Sequence, residues 1–314
     1  MPPSAYQMLA YTLLYYLFEL LLLTAQYHSY LRGGSDEPML LAQALLLFAS
    51  LALPLYAALL STPAALPAAL LALAATLLAA TAPGLRAPRC TAPERLVVDS
   101  VEVYVCRCTS ANAWYEPRSG RVYTCTALVE RLSEDELRAV IHHEAGHAKT
   151  RLYALASTLV HSLWLAVIAA IATLVTILGA AAAPYTAMLL VSAASITLPA
   201  MLTSWLAEHR ADAEAAEKAG PEATASALAK LHAYAALEKH LDLDVVEELR
   251  VKNPAEILAA ATPPTRREIL LTLLARNWRL PLHALDLLRN PTYHTPPPLR
   301  FRIARLTAKT PPNI

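Results

Sequence analysis

Two histidines and a glutamate, His143, Glu144 and His147, form the pattern H-E-x-x-H. On an α-helix of about 3.6 residues per turn, side chains four positions apart lie one above the other on the same face. The imidazoles of His143 and His147 can therefore bind one Zn²⁺ ion, at Zn–N distances of about 2.0–2.1 Å. Glu144 is rotated to one side of that face, where it can act as a general base on water without being a ligand. The pattern predicts hydrolytic chemistry at a zinc site.

A third ligand for such a site is expected from elsewhere in the chain. Glu208 and Asp212 are four residues apart, so both can point from one helix face toward the helix of the histidines. We expect Glu208 to ligate the zinc and Asp212 to accept a hydrogen bond from the distal nitrogen of a ligand histidine. His209 is the alternative ligand, although it lacks an acid partner at helical spacing. Without H-E-x-x-H, these residues would be explained as the charged end of a transmembrane helix.

The helix that carries the two histidines has a defined start. Ser133 can cap its first turn, and Glu136 can reach back to the backbone of Ser133, which together form a capping box. His142 lies on the same helix but has no ligand spacing with His147. We interpret His142 as a residue of the helix surface or a hydrogen-bond partner of a ligand.

A small β-structure is predicted before this helix. Residues 95–106 have β-branched side chains in near alternation, which indicates one strand. Residues 116–120 contain Pro and Gly and predict a turn, after which residues 121–126 form the returning strand of a hairpin.

The rest of the chain has the composition of a membrane protein. Hydrophobic residues make up 56%, charged residues only 16%, and the mean hydropathy is +0.38. A helix needs about 20 mainly apolar residues to cross a bilayer. Five segments meet this requirement or approach it: 5–27, 39–60, 64–81, 152–180 and 185–206. Because 64–81 is short, the alternatives are five crossings and four.

The basic residues divide the chain into four blocks. Of the 26 Lys and Arg residues, only Arg32 lies in 1–85 and none lies in 152–206. We therefore expect N-terminal transmembrane segments in 1–85, a catalytic block in 86–151, a transmembrane hairpin in 152–206 and a helical block in 207–314 that supplies the third ligand and covers the site. With five crossings every basic residue lies on one side, which is expected to be the cytoplasmic side of the cell membrane.

The remaining composition excludes several classes of protein. Seven glycines, four cysteines and a net charge of +1 argue against collagen, disulfide-scaffold and nucleic-acid-binding proteins. Arg outnumbers Lys by 20 to 6, and Asn and Gln together number 8. This bias is typical of a thermophile, and equally of a GC-rich genome.

The four cysteines, Cys90, Cys106, Cys108 and Cys125, are not spaced as C-x-x-C. Since a cytoplasmic block is in a reducing environment, we expect plain thiols there. A second metal site or a disulfide is the less favoured alternative.

The combination of H-E-x-x-H with E-x-x-A-D at 208–212, after a membrane hairpin, resembles the HtpX-like branch of the membrane zinc metallopeptidases. This family also includes the CAAX prenyl proteases. The resemblance extends from about residue 96 to 306. It implies a mainly α membrane protein with a gluzincin-like peptidase core, in which His143, His147 and Glu208 bind one zinc and Glu144 is the base.

The same resemblance assigns roles to residues outside the zinc site. It implies that the strand around Asn112, Ala113 and Trp114 binds an extended substrate by β-augmentation. Family members also carry a histidine six residues before an arginine that helps to stabilise the tetrahedral intermediate. Here Arg302 fits the arginine, but the nearest histidine, His294, lies eight residues before it. Either the loop is longer in this chain or the histidine role is lost.

The expected function is therefore that of a multi-pass membrane zinc endopeptidase with a cytoplasmic site. The resemblance implies that its substrates are damaged or misassembled membrane proteins, and no nucleic acid is expected. A CAAX-type prenyl protease is one alternative. A zinc-stabilised membrane scaffold without catalysis is the other, although Glu144 would have no use in a purely structural site.

Overall fold

The computed structural model describes residues 5–46, 90, 93–108, 112–116, 119–150, 183–238, 262–289 and 296–309, with four isolated residues between 171 and 179. The helices are α1 (Ala5–Leu31), α2 (Glu37–Leu46), α3 (Thr126–Arg131), α4 (Glu134–Gly146), α5 (Ala183–Ala219), α6 (Pro221–Glu238), α7 (Arg266–Arg289) and α8 (Leu299–Lys309). The strands are β1 (Glu94–Val98), β2 (Val101–Cys106), β3 (Ala113–Glu116) and β4 (Arg121–Cys125). The prediction of a mainly α chain with a small sheet is confirmed.

Helices α1, α5 and α7 pack together around the main hydrophobic core. One face of α1 is buried there through Leu20, Leu23 and Tyr27, while its other face exposes large apolar side chains such as Leu17 and Phe18. A helix that is apolar on both faces is typical of one whose outer face meets lipid. By length and composition, α1 and α5 are both candidate transmembrane helices.

The predicted membrane segments are only partly covered by the described residues. Segment 5–27 lies within α1 and segment 185–206 within α5, which continues without interruption to Ala219. The first part of segment 39–60 lies in α2. Segment 64–81 and nearly all of 152–180 lie outside the described residues, so the number of crossings stays a prediction.

The sheet has the strand order β1-β2-β4-β3, which makes β3 an edge strand. The prediction of one strand over 95–106 is wrong, because a two-residue turn at Asp99 and Ser100 divides it into the antiparallel pair β1 and β2. Both turn residues have positive φ, 46° and 73°, as the tight hairpin turns require. The predicted hairpin of β3 and β4 is present, with Gly120 at φ +68° in its turn. Parallel pairing of β2 with β4 joins the two hairpins.

One face of this sheet packs on the helix that carries the H-E-x-x-H pattern. Val103 of β2 and Val122 of β4 lie side by side and are buried against Ile141 of α4. The sheet therefore positions α4 through an apolar contact, and α5, which comes from elsewhere in the chain, also packs on α4.

The expectation of plain thiols is wrong. Two disulfides are present, Cys90–Cys106 and Cys108–Cys125, with Cα–Cα distances of 5.3 and 5.2 Å. Cys106 and Cys125 are partners in the register of β2 and β4, and both are buried on the sheet face away from α4. The two disulfides thus add covalent links to the small sheet at the adjacent ends of β2 and β4.

Helix α4 begins as predicted. The Ser133 hydroxyl accepts a hydrogen bond from the Glu136 backbone N–H, and the Glu136 carboxylate accepts one from the Ser133 N–H. The Glu136 carboxylate also accepts hydrogen bonds from Ser226 and Lys230 of α6, which fixes α6 beside the start of α4. Regular α-helix ends at Gly146, and a 3₁₀ turn, His147–Thr150, follows.

The disulfides lead to a first prediction. Alkylation of the denatured protein without reductant should modify none of the four cysteines, and alkylation after reduction should modify all of them, as counted by mass spectrometry. Because Cys108–Cys125 closes a segment with a sequence separation of 17, its replacement by two serines should lower the free energy of unfolding by about 3 kcal/mol. Four alkylated cysteines before reduction would contradict the pairing.

Candidate metal centre

The site depends on a close approach between α4 and α5. Gly146 of α4 lies against Ala211 of α5, and a Cβ atom built on Gly146 would stand only 3.1 Å from the Ala211 Cα atom. Glycine on one helix and alanine on the other thus allow the two backbones to come together. This contact brings the face of α4 that carries the histidines onto the face of α5 that carries Glu208.

Three side chains converge where the helices meet. The Nε2 atom of His143 lies 3.6 Å from one carboxylate oxygen of Glu208, and the Nε2 atom of His147 lies 3.5 Å from the other. One donor atom from each residue falls within 4.8 Å of the other two. Two imidazole nitrogens and one carboxylate oxygen at these separations could hold a metal ion between them.

The far side of His143 is fixed by an acidic residue. Its Nδ1 atom lies 3.0 Å from the Asp212 carboxylate, which is almost completely buried. A hydrogen bond from Nδ1–H to Asp212 selects the tautomer in which Nε2 has a lone pair for a metal. Arg302 of α8 in turn donates to Asp212 at 2.8 Å and lies 3.2 Å from Glu208. Asp212 is therefore held between a histidine and an arginine.

The site has a strong preference for positive charge. Burial alone would lower the pKa of the His143 imidazole, but its hydrogen bonds with Asp212 and Glu208 outweigh burial and raise that pKa to about 10. Burial would also lower the pKa of the Arg302 guanidinium, but the adjacent carboxylates, Asp212 above all, raise that pKa instead. When both histidines are neutral, as metal binding requires, the carboxylates of Glu144, Glu208 and Asp212 with one guanidinium leave two negative formal charges, which a divalent cation neutralises.

Glu144 lies between the metal centre and the edge of the sheet. Its carboxylate accepts a hydrogen bond of 3.0 Å from the backbone N–H of Tyr115 in β3. The Asn112 carbonyl accepts a hydrogen bond from the Cys125 N–H in β4, so in the antiparallel ladder the N–H groups of Ala113 and Tyr115 point away from β4. The outer edge of β3 therefore passes directly beside Glu144.

The other predicted residues have different surroundings. His209 is buried, and its Nε2 atom lies 2.7 Å from the Tyr27 hydroxyl of α1, so it is not among the three grouped donors. His142 is also buried, 3.1 Å from Asp99 in the β1–β2 turn, and does not touch the site. His294 lies outside the described residues. No sequence signal points to Tyr27, whereas Asp and Ser are turn residues, and their occurrence together between alternating apolar residues could have revealed the turn at Asp99.

A family model for peptidase family M48 matches residues 89–310, which is more than half of the chain. The chain belongs to peptidase family M48. The family includes HtpX and the CAAX prenyl proteases, so the resemblance inferred from the sequence is confirmed, and this M48 protein is a metallopeptidase that acts on polypeptides. No significant match was found among curated proteins or among solved structures.

The ligand set of this M48 peptidase can be tested by metal content after dialysis against a mild chelator. Glu208→Ala should lose its metal, because only two protein ligands would remain where catalytic zinc normally has three. Asp212→Ala should reduce affinity about 10–100-fold, as is typical of residues that orient a ligand. His209→Ala should retain the metal.

The control for this series is the melting temperature of each variant, since Glu208, His209 and Asp212 are all buried. A His209→Ala protein that folds but loses its metal, beside a Glu208→Ala protein that retains it, would mean that the third ligand has been misassigned.

Proposed function

We propose that this protein is a zinc endopeptidase in which His143, His147 and Glu208 bind one zinc and Glu144 is the general base. The observation that supports it is the convergence of the three donor atoms within 4.8 Å, beside a glutamate that contacts the edge of a sheet. Two histidines and one carboxylate, with a further position for water or substrate, are a common donor set of catalytic zinc.

The proposed chemistry is peptide-bond hydrolysis. Bound zinc would polarise the scissile carbonyl group and lower the pKa of the attacking water. Glu144 would remove a proton from that water and later deliver it to the leaving nitrogen. Asp212 would hold the His143 ring in one tautomer, and Arg302, in contact with Asp212 and Glu208, would keep both carboxylates in place. Stabilisation of the oxyanion by Arg302 and a role for His294 stay predictions from the family resemblance.

For the substrate, we propose damaged or misassembled membrane proteins, bound in extended form at the edge strand. The outward-pointing backbone of Ala113 in β3 is suited to pair with any extended chain, because main-chain hydrogen bonds do not depend on sequence. The alternative function is cleavage of proteins with a prenylated C-terminus, because the same family includes the CAAX prenyl proteases.

We propose a multi-pass protein of the cell membrane with its site on the cytoplasmic side. Support comes from the basic residues, of which 25 of 26 fall outside the segments 1–85 and 152–206. The two disulfides do not contradict this sidedness, because intracellular proteins of hyperthermophiles are rich in disulfides. The small number of Asn and Gln residues, 8 in 314, fits the same origin.

The role of Glu144 is tested by Glu144→Gln, which preserves shape and polarity and leaves all three ligands intact. Cleavage of denatured casein by the detergent-purified protein should fall by at least the ~10²–10⁴-fold attributed to general acid–base catalysis. About one zinc per chain should remain bound. A fully active Glu144→Gln protein would rule out the proposed mechanism.

A farnesylated CAAX peptide in the same assay separates the two family activities. Cleavage of casein without cleavage of the CAAX peptide supports the quality-control function, and the reverse result supports the prenyl-protease function. A protein that binds zinc and cleaves neither substrate would support the scaffold alternative.

The sidedness is tested by single cysteines introduced at Ser119 and at Ala182. The native cysteines are paired in disulfides and so should not react. A membrane-impermeant maleimide should label the Ala182→Cys protein in intact cells, whereas the Ser119→Cys protein should be labelled only after the membrane is opened. Labelling of both from the same side would refute the topology.

A further inference from the structure

The sheet face away from α4 carries a continuous row of aromatic rings. Tyr104 of β2 and Tyr123 of β4 are register partners with ring centroids 5.5 Å apart. Tyr123 is also the partner of Trp114 in β3, and these two rings stack at 5.5 Å with an interplanar angle of only 9°. Arg121 lies over the Tyr104 ring, 4.8 Å from its centroid. The row thus crosses three strands and ends at Trp114, on the edge strand.

The position of Trp114 within β3 differs from that of its neighbours. Ala113 and Tyr115 pack toward α4 and the site, so the Trp114 side chain, between them in the strand, projects to the opposite face. One face of the Trp114 ring is covered by Tyr123, which fixes its orientation. The other face is turned away from β4, toward the edge where the described part of the chain adds no further strand. Trp114 is only partly buried.

A strand that adds to this edge would continue the aromatic row. It would form its hydrogen bonds with the outward N–H and C=O groups of Ala113 and with the outward C=O of Tyr115. The outward N–H of Tyr115 already donates to Glu144. In antiparallel addition, its residue opposite Trp114 would then belong to a non-hydrogen-bonded pair, in which the Cα atoms are only about 4.5 Å apart and the side chains are close. That residue would lie on the same face as Trp114 and next to its ring.

We propose that Trp114 is a specificity-determining residue, which selects polypeptide substrates with an aromatic or large aliphatic side chain at the position opposite it in the added strand. The inference rests on the proposed peptidase function. Backbone hydrogen bonds alone would bind any extended substrate regardless of its sequence, and Trp114 adds a preference for one kind of side chain. Aromatic cross-strand pairs are among the favourable ones on a sheet face. Since Tyr123 holds the Trp114 ring in place, a substrate side chain does not have to order it on binding.

The experiment is a mass-spectrometric profile of the sites cleaved in a denatured protein mixture by the zinc-loaded, full-length protein. At one fixed position relative to the cleaved bond, Phe, Tyr, Trp, Leu and Ile should exceed Ser and Gly by about two- to fivefold. Trp114→Ala should remove this preference at that position alone, and Trp114→Phe should restore most of it. Tyr104→Ala is the matched control, because it removes a ring of the same row two strands from the edge, and it should retain the preference.

Two results would overturn the inference while the peptidase function stands. One is a Trp114→Ala profile identical to that of the wild type. The other is normal cleavage by the Ala113→Pro protein. This substitution removes an outward N–H that the added strand needs. The inference therefore expects lower cleavage at all sites with unchanged zinc content.

A binding measurement keeps the inference separate from the peptidase function itself. Glu144→Gln protein is titrated with a fluorescein-labelled peptide that has Phe at every second position, and with its Ser counterpart, by fluorescence polarisation. The Phe peptide should bind about two- to fivefold more tightly, and the additional change Trp114→Ala should abolish the difference. If the wild type cleaves no polypeptide, the proposed function fails, and equal binding of the two peptides refutes the specificity proposal alone.

Discussion

The distance between α4 and α5 is the constraint on which the rest of the site depends. His143 stands on α4, His147 directly after it and Glu208 on α5, so the three donor atoms converge only if the two helix backbones approach closely. Gly146 makes this possible, since even a Cβ atom there would stand 3.1 Å from the Ala211 Cα atom and press the two helices apart. Because interiors are packed densely, a displacement of a few tenths of an ångström at this contact would be transmitted to all three donors. The small residues beside the candidate metal ligands are therefore part of the site although they bind nothing.

Charge fixes the surrounding elements to this pair of helices. Asp212 is buried between His143 and Arg302, and Arg302 also contacts Glu208, so the C-terminal helix α8 is joined to the site by ion pairs. Removal of one partner from a buried ionic network leaves an uncompensated charge and is strongly destabilising. Next to Glu208 on α5, the hydrogen bond of His209 with Tyr27 connects the site to the first candidate membrane helix. The metal centre is thus enclosed by elements that are distant in sequence.

The sequence predicted those parts of the site that depend on helical periodicity. His143 and His147, and likewise Glu208 and Asp212, are pairs at a spacing of four, and the structure brings the two pairs together, with His147 at the C-cap of α4. The start of α4 at Ser133 followed from local hydrogen bonding in the same way. Features that depend on contacts between distant segments could not be predicted as well. The partners of Arg302 and His209 are set by how helices pack, for which a single sequence contains no local signal.

The errors in the sheet have specific physical reasons. The predicted strand over 95–106 was continued through Asp99 and Ser100 because β-branched residues flank both, although a two-residue loop with positive φ is compatible with this pair. The disulfides could not be predicted, because four cysteines allow three pairings. Which cysteines lie close together depends on the parallel pairing of β2 with β4, and this pairing does not follow from chain order. Cys106 and Cys125 are partners in that register, but each is bonded to a cysteine outside it.

X-ray absorption spectroscopy of the detergent-purified protein at the zinc edge tests the metal centre most directly, because it reports the donor atoms themselves. A centre made by His143, His147 and Glu208 should give one zinc per chain, two imidazole nitrogens at about 2.0–2.1 Å and oxygen donors for the remaining coordination. Sulfur donors at about 2.3 Å, or an active protein without stoichiometric zinc, would contradict it.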